Sequence, residues 1–264
     1  IAVELYKQKL TNTEEQIEDS RHPVSHTLET NGYDMNNLKD IVEIPIYAIP
    51  EWTLKYSLGN YYEKAKSQFS MLTYDTPESV IKISDYNKIA KLYGEEEYSL
   101  NDDEYIVLCD FEQMIDLRNE ALKQNSNIEI NGKTYHTKYN ECQDGFVFMS
   151  TSNINAGIIL VPDNFEIEKE NTEQYFLAGN YNAETEEEKI ELEKVLSGEV
   201  DSELFDNLSD KGINLEGTTK ISLTEASKGL STIIIFIAIY LGIVFLIASS
   251  AILALKQLTE SSDN

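Results

Sequence analysis

GLSTIIIFIAIYLGIVFLIASSAILAL, residues 229–255, carries no charge anywhere between Lys228 and Lys256. As an α-helix at ~1.5 Å per residue it reaches roughly 40 Å, against a bilayer hydrocarbon core of ~30 Å. The stretch predicts a transmembrane helix, because apolar runs of 18 or more residues seldom belong to soluble cores. It divides the chain into residues 1–228, a helix over 229–256, and the start of a further segment over 257–264. Within the helix, Ala238 and Gly242 form a small-x-x-x-small pair, and Ser249, Ser250 and Ala254 enrich its later half in small residues. Such surfaces let neighbouring helices approach closely, so these five positions are candidates for packing in a multi-helix bundle.

Upstream of the helix the material changes to frequent charges and short alternating stretches. The 264-residue chain has 21 basic and 47 acidic residues; Lys256, Glu260 and Asp263 follow the apolar run, which leaves 20 basic and 45 acidic residues before it, a formal charge of −25. Nucleic acid is excluded as a partner, since phosphate binding needs clustered Lys and Arg. A cationic ligand is compatible with the same field, beside the plainer reading that the charge keeps a secreted domain soluble. Two cysteines, Cys109 and Cys142, are too few for a disulfide-stapled framework. Cys109 ends the apolar stretch EYIVLC and reads as a core residue. Because the chain opens on Ile1 and closes on a polar run, it is expected to be an excerpt of a longer protein.

The long first segment reads as an α+β domain in which a mixed β-sheet is flanked by helices. Its first forty residues read as helical, with PVSHTLETNGY stopping at Gly32. DIVEIPIYAIP, residues 40–50, is a strand with Pro45 at an edge or bulge. EWTLKYSLGNYYEKAKSQF reads as a helix ending near Gly59 and a second short one. VIKIS, from Val80, is a strand; Ser84 is expected to cap a helix that closes on Gly94. EYIVLC, 104–109, is a further strand, and Asp110 is expected to open a helix with Phe111, Met114, Ile115 and Leu122 on one side. Asn131-Gly132 is the preferred pair for a type I′ hairpin turn. GIILVP and QYFLAG supply two more strands, AETEEEKIELEKVLSG a surface helix, and TKISL, 219–223, a last strand before the membrane helix.

A search for chemistry finds no enzyme signature. His22 and His26 share a helical spacing, but Pro23 between them suggests a helix start rather than a metal pair. Asn101-Asp102-Asp103-Glu104 lacks the alternating ligands and central glycine of a calcium loop. No nucleophile elbow, phosphate loop or zinc helix motif occurs. No cofactor is implied. Trp52, Tyr56, Tyr61 and Tyr62 are the aromatic candidates for a ligand groove, against the plainer reading of core packing.

The junction ISLTEASKGLSTIIIFIAIYLGIVFLIASSAILALKQLTESSDN resembles the FtsX-like permease family of ABC transporters, within it the group that handles bacitracin and related peptide antibiotics. VIKISDYNKIAKLYGEEEYSLNDDEYIVLC is similar to a segment of the large extracellular domain of those permeases. The resemblance covers roughly residues 78–110 and 219–264. It implies a cell-membrane permease with residues 1–228 extracellular, lying between its seventh and eighth transmembrane helices, of which the helix here is the eighth. It also implies a separate ATPase subunit as partner, a sensor histidine kinase as a further one, and a cationic peptide antibiotic or its lipid-bound target as ligand. The chain itself is then no enzyme. The alternative within the family is a permease that transmits ATPase strokes to cell-wall hydrolases or a sensor kinase without moving a substrate. Lys211, Lys220 and Lys228 before the helix, with Lys256 alone just after it, would by the positive-inside rule place the large domain inside; long domains, however, translocate largely regardless of charge.

Overall fold

The computed structural model describes residues 2–6, 23–197, 208, 213 and 215–262. Nine strands form one mixed sheet: β1 (Ala2–Tyr6), β2 (Leu38–Thr53), β3 (Pro77–Lys82), β4 (Glu104–Leu108), β5 (Asn127–Ile130), β6 (Lys133–Thr137), β7 (Ile158–Val161), β8 (Thr172–Tyr181) and β9 (Leu215–Thr218), in the order β5-β6-β4-β7-β3-β2-β8-β1-β9. The helices are α1 (Pro23–Thr30), α2 (Leu54–Leu58), α3 (Tyr62–Gln68), α4 (Ile83–Tyr93), α5 (Glu112–Gln124), α6 (Glu186–Ser197) and α7 (Lys220–Ser262). The α+β reading stands.

The central strands are apolar runs because both of their faces are covered. Ile81, Ile106, Leu108, Ile158 and Leu160 join Tyr86, Ile89 and Ala90 of α4 in one cluster. Their neighbours in sequence, Val80, Tyr105, Val107, Ile159 and Val161, face the other way and pack with Trp52, Leu122 and Phe165. A third cluster joins Leu54 and Leu58 of α2 to Met114, Leu117 and Ala121 of α5. Trp52 is fully buried, edge-on to Tyr105 with ring centroids 5.4 Å apart.

Several local expectations hold. Asn131 and Gly132 adopt positive φ (51° and 72°) between β5 and β6, as a type I′ turn demands. Gly59 and Gly94 end α2 and α4. Pro45 is accommodated inside a strand because β3 begins to pair with β2 only at Tyr47, so at Pro45 the backbone has β8 on one side and no described strand on the other.

Others are corrected. Residues 2–6 are not helical: they pair with β8 and β9, a long-range pairing that overrides local propensity. Residues 7–22, including His22, lie outside the described residues. Ser84 lies inside α4 rather than capping it; its N–H donates to Asp163 Oδ1 at 3.2 Å, so the carboxylate comes from a distant loop. Asp110 does not open α5, whose N-cap is Phe111. The strand expected at 219–223 ends instead at Thr218, and Lys220 begins the long helix. At the start of α6, Glu188 accepts from the N–H groups of Glu184 and Thr185, which hold its pKa down. Although α6 reads as a surface helix, its Glu193 is buried and accepts hydrogen bonds from the Tyr181 and Thr219 hydroxyls.

Two compact units result, Ile1–Lys220 and Ile221–Asn264. The stretch Lys220–Lys256 of α7 is long and apolar enough to cross a membrane, with mean hydropathy 2.8 over its most apolar window and none of that window buried. Side chains such as Phe236 and Phe245, about 70% exposed, would be unfavourable in water.

Of the 16 tyrosines, burial first and nearby carboxylates second push Tyr47 and Tyr98 up to about 12, and Tyr33, Tyr86, Tyr105 and Tyr181 are also raised. A folded-state pKa above the unfolded value of ~10 favours the neutral form. The resulting stabilisation is complete below pH ~10 and is lost as pH rises toward 12. Tyrosinate absorbance followed together with circular dichroism should show a late-titrating group that ionises only as the fold is lost. Titration of every tyrosine near pH 10 with the fold intact would contradict this.

Candidate functional site

Between β6 and β7 the chain runs for twenty residues without regular structure, and its second half is tied down at both ends. Gly145 packs so closely on Tyr86 and Leu108 that a Cβ would collide with the tyrosine hydroxyl. Asn155 anchors the return: its N–H donates to Asp110 Oδ1 at 2.7 Å, its carbonyl accepts from the N–H groups of Asp110 and Phe111, and its side-chain amide reaches the carbonyls of Leu108 and Gly145. At Gly157 a side chain would overlap the Arg118 guanidinium. That guanidinium donates to the Ala156 carbonyl through Nε.

Arg118 is itself part of a buried network. It pairs with Glu78 at 2.5 Å (Nη2 to Oε2) and 3.4 Å (Nη1 to Oε1), both side chains being 4% exposed. Burial works to lower the Arg118 pKa, but the Glu78 carboxylate outweighs it and holds the group charged. The Ser57 hydroxyl donates to Glu78, and Trp52 Nε1 donates to Ser57 at 3.2 Å. Strands β2 and β3, helices α2 and α5 and the loop before β7 therefore converge on one ion pair.

The anchored loop encloses a cleft of about 560 Å³, within the range of small-ligand sites. Phe146, Phe148, Met149, Ile154 and Ile158 give it apolar walls, with Phe148 edge-on to Phe176 beneath at 5.5 Å. Ser79, Asp110, Glu173 and Gln174 are among its polar groups, and no Lys or Arg lines it. Desolvation raises the Asp110 pKa, opposed by the N–H groups it accepts from. Gln174 is 5% exposed, yet its side-chain amide has no hydrogen-bond partner among the described residues, and neither does the half-buried Ser79 hydroxyl. Neither is sealed from solvent, since among the described residues the Tyr33 hydroxyl is the one fully buried side-chain polar atom without a partner, so both groups open onto the cleft they line.

The sequence candidates lie elsewhere. Trp52 is core, and Tyr61 and Tyr62 pack beside the α2–α5 cluster, so these aromatics line no part of the cleft. The cleft escaped sequence reading because Phe146 to Ile154 shows neither helical nor strand periodicity; the apolar FVFM within polar surroundings was its one local sign. Ala238, Gly242, Ser249, Ser250 and Ala254 all lie exposed on α7. At 3.6 residues per turn Ala238, Gly242 and Ser249 share one stripe, with Ser250 and Ala254 on another. Among the described residues no group of His, Cys, Asp and Glu could hold a metal ion.

Cys109 and Cys142 are free thiols brought together by a short parallel bridge between Leu108 and Gln143. A hydrogen bond between them holds the Cys109 thiol below its ordinary pKa and pushes that of Cys142 up, with Arg118 nearby. Since no bridge is formed, reduction should leave the melting curve unchanged, and replacing both by alanine should cost about 1–3 kcal/mol, as ordinary core substitutions do. Loss of folding under reductant alone would contradict this.

Set against known protein families, curated proteins and solved structures, the chain matches none.

Proposed function

We propose that this chain is the extracellular domain and adjoining membrane helix of an FtsX-like ABC permease that senses or confers resistance to cationic peptide antibiotics. The observation that carries the reading is the acidic charge of the α+β unit, −25 before Lys256, in a chain that continues into an apolar helix. A negative field beside a membrane raises the local concentration and association rate of cationic, membrane-active peptides. Screening acts over ~8 Å at physiological salt, so steering alone does not confer recognition. The cleft supports the reading by offering apolar walls with carboxylates and no competing cation. ATP hydrolysis belongs on this reading to a separate subunit, and a sensor kinase is a further partner.

The test is titration of the chain in phosphatidylcholine nanodiscs with cationic and neutral peptide antibiotics at low and high salt. Selectivity among peptides of equal charge is the expected result. Binding that follows charge alone and vanishes with salt would overturn the receptor reading and favour a permease that transmits ATPase strokes without a ligand of its own.

A further inference from the structure

We propose that the cleft between Asp110, Gln174 and the 146–158 loop is a binding site for an extended peptide segment that places one basic side chain between apolar ones.

Three observations meet here. The first is the unpartnered Gln174 amide on β8. Gln174 lies on the same face as Phe176 and Ala178, which belong to the apolar cluster under α4. Alternation places residue 174 on the buried face, where an apolar side chain would serve packing better than an amide. The amide meets solvent only at the cleft, and a ligand that supplies both a donor and an acceptor can take the place of water there. A peptide group has one of each. The Ser79 hydroxyl, in register with Ile158 across β3 and β7, lines the same cleft and adds a second unpaired group.

The second observation is charge. Asn155 donates to Asp110 Oδ1 at 2.7 Å. Glu173 stands exposed at the same cleft. With no Lys or Arg in the lining, a ligand ammonium meets two carboxylates and no repulsion. The third is shape: Phe148, Met149 and Ile154 offer apolar contact on the loop side, and Ile154 is 62% exposed without a ligand.

The site rests on the receptor reading for the origin of its ligand, but its residues can be tested apart from it. Of the four methionines, Met149 lines the cleft, Met71 is 95% exposed elsewhere and Met114 is buried. Methyl-labelled methionine therefore gives a reporter with internal controls. The probe is acetyl-Leu-Lys-Leu-Phe-amide, titrated into the full chain in phosphatidylcholine nanodiscs and compared with the same peptide carrying norleucine for lysine. The Met149 signal should move while those of Met71 and Met114 stay, and the lysine peptide should bind at least about tenfold more tightly than the norleucine one. Asp110→Asn should abolish that discrimination. Gln174→Leu should weaken the lysine peptide about tenfold while leaving the melting temperature equal or higher, which a structural glutamine would not allow. An unmoved Met149 signal, or a Gln174→Leu variant that melts lower, overturns the site. Antibiotic binding with Met149 unmoved would sink the site and leave the receptor reading; a moving Met149 signal without antibiotic binding would do the reverse.

Discussion

Arg118→Met is expected to destabilise the domain by about 3–5 kcal/mol, because it leaves the Glu78 carboxylate buried without its counter-ion. The side chains are each 4% exposed, so neither ion can recover its lost hydration by turning outward. The Ala156 carbonyl also loses its donor. The double variant Glu78→Leu, Arg118→Met should be more stable than Arg118→Met alone: removing both ions removes the desolvation cost together with the attraction. Urea unfolding is readily followed through Trp52, the one tryptophan, whose indole N–H joins the network through Ser57. A loss below about 1 kcal/mol for the single variant, or a double variant less stable than the single, would show that the pair is not the keystone its burial suggests. Because Arg118 also holds Ala156, weaker peptide binding in the cleft should accompany the stability loss.

The second large effect concerns the join between the first unit and α7. A polypeptide of residues 1–228 is expected to be soluble, monomeric and folded without detergent, with a single cooperative melt, whereas the full chain should partition entirely into detergent or bilayer. The expectation follows from the division of the structure at Lys220, with the three buried clusters lying wholly in the first unit. It also follows from the apolar window of the helix, which buries nothing. Size-exclusion chromatography with light scattering and calorimetry checks it. Aggregation in every buffer, or recovery of the full chain in the aqueous phase, would be the contrary result.

Elements whose cause is local are legible in the residues themselves. The charge-free run after Lys228 specifies a helix in any apolar surrounding, since backbone groups there can be satisfied only within the helix. Asn131-Gly132 specifies its turn because both residues tolerate positive φ, and Gly94 specifies a helix end for the same reason. The apolar stretches VIKIS, EYIVLC and GIILVP identify themselves as strands through β-branched content and length. The tertiary structure alone decided what depends on partners far along the chain. Residues 2–6 became a strand because β8 and β9 complete their hydrogen bonds. Asp163 replaced Ser84 at the start of α4 because a loop 79 residues away delivers a carboxylate to that N–H. Nothing in the local sequence marks Glu78, Arg118 or Glu193 as buried; the fold places each beside a complementary group. The cleft is of the same kind: Ser79, Asp110, the 146–158 loop and Gln174 are spread over almost a hundred residues, and only the sheet order β4-β7-β3-β2-β8 gathers them at one place. Local propensity acts over a few residues, whereas a binding site is assembled by closing long loops, a cost repaid only once the sheet between them has formed.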